Sequence, residues 1–151
     1  MQQQQTATLT TIFSEVLANL AFMFSDDEPA ETPPGEVWLE TTIGYQGPKS
    51  GNLCFWCTRS FSVLLAANLL GIDPDDADAE SKADDAVKEF MNIICGQLVT
   101  ALHGAEEVFQ LSIPEIRELP ESPELLDEPG AEESTLSVEG QRVHLAYAPT
   151  D

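Results

Sequence analysis

Cations are scarce in this chain: six Lys and Arg stand against 27 Asp and Glu, a formal charge of -21 over 151 residues. So acidic a surface repels phosphate backbones and anionic headgroups, which excludes nucleic acid and membrane surfaces as partners. Long apolar runs are also missing, and no stretch approaches the roughly 20 residues that cross a bilayer. The opening MQQQQTATLTTIFSEVLANLAFMF holds no Lys or Arg, and Glu15 and Asn19 interrupt its apolar residues. It lacks the form of a signal peptide, so a cytoplasmic location is expected. Cysteine is confined to Cys54, Cys57 and Cys95, an odd number that argues for free thiols over a disulfide framework.

What is present suffices for one domain over 1-151, since 42% of the residues are hydrophobic. Of the 27 carboxylates, six lie in 26-40, seven in 72-85 and eight in 115-133, so the charge concentrates in connections between folded pieces. Residues 1-9 are expected to be a disordered tail. Ile12, Phe13, Val16, Leu17, Leu20 and Phe24 then recur at helical spacing and predict a helix over about 10-24. Pro33, Pro34 and Gly35 make the next piece a loop.

From Glu36 the period changes to two, with Val37, Leu39, Thr41, Ile43 and Tyr45 on one face and Trp38, Glu40 and Thr42 on the other. This strand, a turn over 46-52 and a second strand over 53-59 predict a hairpin. A short helix follows, capped by Ser60 and stopped by Gly71. Beyond an acidic linker, Val87, Phe90, Met91, Ile94, Leu98, Ala101 and Leu102 form the core stripe of a helix over 83-103. Val108-Ile113 alternates as a strand ending at Pro114, 114-133 reads as an acidic, proline-rich loop, and strands over 134-139 and 141-148 close the chain. The expected class is α+β: an antiparallel-rich sheet of hairpins packed on long helices, in the order α-β-β-α-α-β-β-β.

Most constellations that could carry chemistry have a simpler explanation. Cys54 and Cys57 form a CxxC, but on a strand residues three apart face opposite ways and could not share one metal undistorted. The run from Asp73 to Glu80 lacks the glycine and the final glutamate of a calcium loop, which makes a solvated linker the better reading. His103 and His144 have no nucleophile motif beside them, and no glycine-rich phosphate loop is present.

The outer row of the 83-103 helix is more informative: Asp85, Glu89, Asn92 and Gly96 lie opposite the core stripe. Glu89 and Asn92, three apart, place their Cβ atoms roughly 5 to 6 Å from one another, so both polar tips can enter one small site. Gly96 costs about 0.8 to 1 kcal/mol relative to Ala inside a helix, which suggests that something approaches closely there.

Read in order, Asp85-x3-Glu89-x2-Asn92-x3-Gly96 followed by Pro114 resembles the CheC and CheX family of chemotaxis phosphatases, whose motif is D/S-x3-E-x2-N with a proline downstream. The interval from Asn92 to Pro114 holds 21 residues, one fewer than the family's spacing. CheC-type members carry two such motifs and CheX-type members one. Here Glu15 and Asn19 have an extra residue between them and are not counted as a second, so the chain is CheX-like.

The resemblance implies a phosphatase acting on the aspartyl phosphate of a CheY-like response-regulator receiver. Asn92 would orient the attacking water, Glu89 would pair with the receiver lysine, and Asp85 and Gly96 would contact the partner. It implies no cofactor in this chain, the Mg2+ belonging to the receiver, and a homodimer built through sheet edges. The rival is a catalytically silent CheX-like binding or dimerisation module in two-component or flagellar-switch signalling.

Overall fold

The computed structural model describes residues 2-26, 35-104, 106-119 and 132-150. Helix α1 spans Gln2-Ala21. The tail expected over 1-9 is therefore helical from Gln2, and Leu9 is buried in the core. The helix stops short of Phe24 because Phe22 turns left-handed (φ 54°). That turn lets Met23 N-H donate to the Leu17 carbonyl and Phe22 N-H to that of Ala18, both at 3.1 Å. Asn68 Nδ2 satisfies the Ala21 carbonyl at 2.9 Å.

Strand β1 is only Ser25-Asp26. Strands β2 (Trp38-Gln46) and β3 (Gly51-Thr58) form the expected hairpin, with Leu39 opposite Cys57 and Tyr45 opposite Gly51. Helix α2 spans Arg59-Leu70, and its cap is Thr58, not Ser60. Thr58 Oγ1 accepts from Phe61 N-H at 3.1 Å, while Ser60 Oγ donates to Glu36 Oε1 at 2.5 Å. Gly71, left-handed at φ 69°, ends the helix as expected. The acidic linker holds a further short helix, α3 (Ala77-Ser81), capped by Asp76. Helix α4 spans Ala83-His103, matching the sequence periodicity at both ends.

The next stretch differs most from expectation. Strand β4 is only Gln110-Leu111, and a strand absent from the sequence reading, β5 (Glu115-Leu119), begins just past Pro114. Both pair antiparallel with β2: Tyr45 faces Leu111 and Thr42 faces Glu115. Four residue steps on the edge oppose three on β2, so the edge carries a one-residue bulge around Ile113 and Pro114. A proline lacks the N-H that a ladder needs, and a bulge on an edge strand tolerates it. The remainder of the expected 114-133 loop, 120-131, lies outside the described residues, as does the 27-34 part of the first acidic loop.

Strands β6 (Glu132-Val138) and β7 (Gln141-Pro149) complete an antiparallel sheet ordered β1-β6-β7-β3-β2, with β4 and β5 along the far side of β2. Their turn residues Glu139 and Gly140 both have positive φ (53° and 74°), the geometry that matches strand twist. One sheet face carries α1, α2 and α4 over a core that includes Phe13, Leu39, Phe55, Phe61, Phe90, Ile94 and Leu145. Phe55 is central, with ring centroids 5.0 Å from Phe90 and 5.8 Å from Phe13. The other face carries a smaller cluster of Trp38, Trp56 and Ala146.

His144 is buried on this second face, stacked on Trp38 at 6.0 Å and paired through Nδ1 with Thr135 Oγ1 at 2.8 Å. Burial, with a smaller contribution from Arg142, pushes its pKa down from 6.5 to about 4. The fold thus holds a neutral imidazole, whereas the unfolded chain takes up a proton below pH 6.5. His144 contributes stability fully above that value, and the contribution declines as pH falls toward 4. Thermal unfolding between about pH 7.5 and about pH 5 should show a Tm loss that is shallower in His144→Gln than in the wild type. Equal slopes would contradict the assignment.

Candidate functional site

Helix α4 has one face sealed and the other open. Val87, Phe90, Met91, Ile94 and Leu98 are buried, as the periodicity predicts, whereas Ala101 is exposed and Leu102 half-buried because the stripe runs out at the last turn. On the opposite side Asp85, Glu89 and Asn92 are exposed and Gly96 is half-buried. The helix therefore brings all four predicted site residues to one surface. Among the described residues no hydrogen bond or ion pair engages the side chain of Glu89 or Asn92, so both tips are available to a partner.

Both ends of the helix are tied down. At the start, Arg59 Nη1 meets Asp84 Oδ1 at 2.8 Å and Arg59 Nη2 meets Glu118 Oε1 at 2.7 Å. This fork joins α2, α4 and β5. Each exposed ion pair contributes only about 0 to 1 kcal/mol, so its use is alignment more than stability. At the other end, His103 Nε2 lies 3.1 Å from the Tyr45 hydroxyl, which is 2.9 Å from the Tyr147 hydroxyl. His103 also stacks on Phe109 at 5.3 Å. A side chain at Gly51 would place its Cβ 2.7 Å from the Tyr45 hydroxyl, so the glycine keeps room for this chain of contacts.

Beside Asn92 an open groove of about 580 Å³ runs between α1 and α4, lined by Ile12, Asn92, Ile93, Gly96, Gln97 and Thr100. A Cβ placed on Gly96 would meet nothing within 4 Å, so no intramolecular packing demands glycine there. Thr100 Oγ1 donates to the Gly96 carbonyl at 3.0 Å, a local bond of the kind threonine makes to the preceding turn. Ile12 joins the groove through tertiary packing that no local pattern marks. The Arg59 fork was equally hidden, its three members lying far apart in sequence.

A larger cavity of about 730 Å³ lies at the far end of the β2-β3 hairpin, lined by residues such as Gly44, Gln46, Asn52, Ser112 and Glu115. Size does not make it the better candidate, since it gathers one carboxylate among neutral groups and no acid-base or nucleophile pair. The cysteines are poor nucleophiles as well. Burial pushes Cys54 and Cys95 up to about 12 and raises Cys57 further, so all three stay protonated. Cys57 faces the main core and Cys54 the tryptophan cluster, the opposite orientations expected of a strand. Among the described residues no group of three His, Cys, Asp or Glu could hold a metal ion, and no helix is long and apolar enough to cross a membrane.

An antiparallel sheet backed by long helices is an architecture found in solved chemotaxis proteins. A CheX from Vibrio vulnificus is similar with a TM-score of 0.72 at 16% identity, 99% of each chain being covered. A CheX from Desulfovibrio desulfuricans gives 0.71 at 18% identity over 97% of this chain and 99% of that one. The Borrelia burgdorferi CheX, solved in complex with CheY, BeF3 and Mg2+, gives 0.65 at 20% identity over 96% and 97%. No curated protein sequence matches. Residues 40-128, more than half of the chain and including the whole of α4, match the family model for the chemotaxis phosphatase CheX. The chain belongs to the CheX family.

The open space at Gly96 generates a prediction about stability alone. Gly96→Ala should stabilise the fold by up to about 1 kcal/mol, through helix propensity without a clash. Denaturant unfolding checks it, and a loss of stability would mean that glycine is needed for packing after all.

Proposed function

We propose that this chain removes the phosphoryl group from the aspartyl phosphate of a CheY-like receiver domain. The observation that carries the reading is the pair Glu89 and Asn92: both exposed, both without side-chain partners among the described residues, and on one face of a helix anchored at both ends. A CheX of similar fold binds CheY together with BeF3 and Mg2+, which supports a receiver as the partner.

An aspartyl phosphate is a mixed anhydride, and its hydrolysis needs a water in line with the leaving carboxylate. The Asn92 carboxamide can accept a hydrogen bond from that water through its oxygen and donate one through its nitrogen, fixing the direction of attack without changing charge. The Glu89 carboxylate, one turn away, pairs with a receiver lysine and sets the register of α4 against the pocket. Asp85 extends the contact by a further turn. Gly96 leaves the backbone bare where the receiver surface approaches. The receiver brings its own Mg2+, so this chain supplies positioning and no metal. A cytoplasmic setting follows, since receivers are cytoplasmic proteins.

Phosphate release from phosphorylated receivers tests this. Wild type should accelerate decay, Asn92→Ala should lose the acceleration by about 100-fold or more while still binding, and Glu89→Ala should lose mainly affinity. A wild type that leaves every phosphorylated receiver at its spontaneous rate, while still binding it, would favour a silent adaptor instead.

The chain is also proposed to form a homodimer through a sheet edge. On the β2 side the bulge and the charged Glu115, Arg117 and Glu118 obstruct strand pairing, whereas among the described residues β1 covers only the last two residues of β6. Two chains at -21 repel each other, so association along β6 should strengthen with salt. Sedimentation showing monomer alone at micromolar concentration in both low and high salt would remove the dimer.

A further inference from the structure

We propose that Lys88 contacts the phosphoryl group itself and supplies positive charge to it as the water attacks. The inference rests on the phosphatase reading above and adds to it a residue outside the Glu and Asn motif.

An acidic protein faces a specific difficulty at an acyl phosphate. The surface presented to the anionic phosphoryl group carries Asp85 and Glu89 within a chain of net charge -21, so a cation of this chain beside Asn92 would add to the charge that the receiver's own Mg2+ and lysine supply. The chain has six Lys and Arg. Arg59 is held by Asp84 and Glu118, and Arg117 by Glu40 at 2.8 Å. Arg142 lies near His144, on the sheet face away from the helices. Lys49 belongs to the hairpin turn. Lys82 precedes α4 and lies about 15 Å along the axis from Asn92 at 1.5 Å per residue. Only Lys88 remains near the site.

Its place is specific. Lys88 is four residues before Asn92, so the two lie about 40° apart around the helix and one turn apart along it. Side chains at this spacing start roughly 5 to 6 Å from one another, and a lysine stem can carry its ammonium past the asparagine tip. Two carboxylates lie within helical reach: Asp84, four residues earlier, is turned to Arg59, and Asp85, three residues earlier, makes no ion pair with Lys88 among the described residues. Lys88 is half-buried, and among the described residues it makes no ion pair or hydrogen bond. The groove beside Asn92 opens on the α1 side, so Lys88 and the groove flank the asparagine.

The reaction balances without proton transfer to the lysine. The water oxygen forms a bond to phosphorus, the bond from phosphorus to the receiver carboxylate oxygen breaks with its electron pair, and the water proton leaves with inorganic phosphate or solvent. Lys88 stays an ammonium throughout. It acts on charge spread over the equatorial oxygens, as other cations do in phosphoryl transfer.

The test uses a CheY-type receiver from a panel, phosphorylated with acetyl phosphate, and the full chain with Lys88→Gln, Lys88→Arg or Asn92→Ala. Lys88→Gln should lower the maximal dephosphorylation rate by about tenfold or more, Lys88→Arg should keep most of it, and binding of the unmodified receiver should be unchanged in both. Lys88→Gln at the full wild-type rate beside an inactive Asn92→Ala overturns the role of Lys88 and leaves the phosphatase reading standing. A Lys88→Gln effect confined to KM, with equally weakened binding of unmodified receiver, overturns it too and makes the lysine a docking contact. No acceleration by wild type on any receiver overturns the parent reading, and this one with it.

Discussion

Burial of one stripe of α4 is the constraint from which the candidate site follows. Val87, Phe90, Met91, Ile94 and Leu98 have no exposure to trade, since truncating any large one leaves a cavity that costs about 2 to 5 kcal/mol. A helix so held cannot rotate about its axis without exposing that stripe. The outward direction of Glu89 and Asn92 is thus settled by hydrophobic packing on the other side of the same rod. The Arg59 fork and the contact between His103 and Tyr45 then limit tilt at either end. The role proposed for Asn92, aiming a water inside another protein, needs this kind of backing, because misplacement by about 1 Å can cost 100-fold in rate.

Charge is used sparingly in the same framework. Arg59 and Arg117 serve the architecture, one joining α4 to β5 and the other joining β5 to β2 through Glu40. Glu40 also accepts from Trp56 Nε1 at 2.9 Å, so one half-buried carboxylate organises the second face of the sheet. Among the described residues the lysines Lys49, Lys82 and Lys88 make no ion pair, and of these Lys88 is the one that sits one turn from Asn92. Buried titratable groups go the other way: His144 and the three cysteines are held neutral, which suits a scaffold and removes them from chemistry.

Helix α4 and the shared open face of Asp85, Glu89, Asn92 and Gly96 were legible in the sequence because both depend on local periodicity. The stripe at 3.6 residues gave both ends of α4, and the same arithmetic put Asp85, Glu89, Asn92 and Gly96 on the open side. The hairpins were legible for the same reason at period two. What was missed depends on long-range pairing. Pro114 reads as the end of a strand when only neighbours are considered, yet β2 supplies a ladder that resumes at Glu115 after a bulge. Ser60 has the chemistry of a cap, but Glu36 takes its hydroxyl and Thr58 caps instead. The glutamine-rich start of α1 has no apolar stripe to announce it, although Leu9 enters the core behind it. Groove and ion-pair fork alike are assembled from distant segments, so neither has a local signature.

The central claim is that the Asn92 carboxamide enters the partner's phosphorylation pocket. Its side-chain amide signal can be followed by NMR while a receiver loaded with BeF3 and Mg2+ is titrated in, beside the same receiver without BeF3. The account predicts that the Asn92 side-chain resonances shift or broaden strongly with the loaded receiver and much less with the bare one. A complex that forms while those resonances stay in place would contradict it.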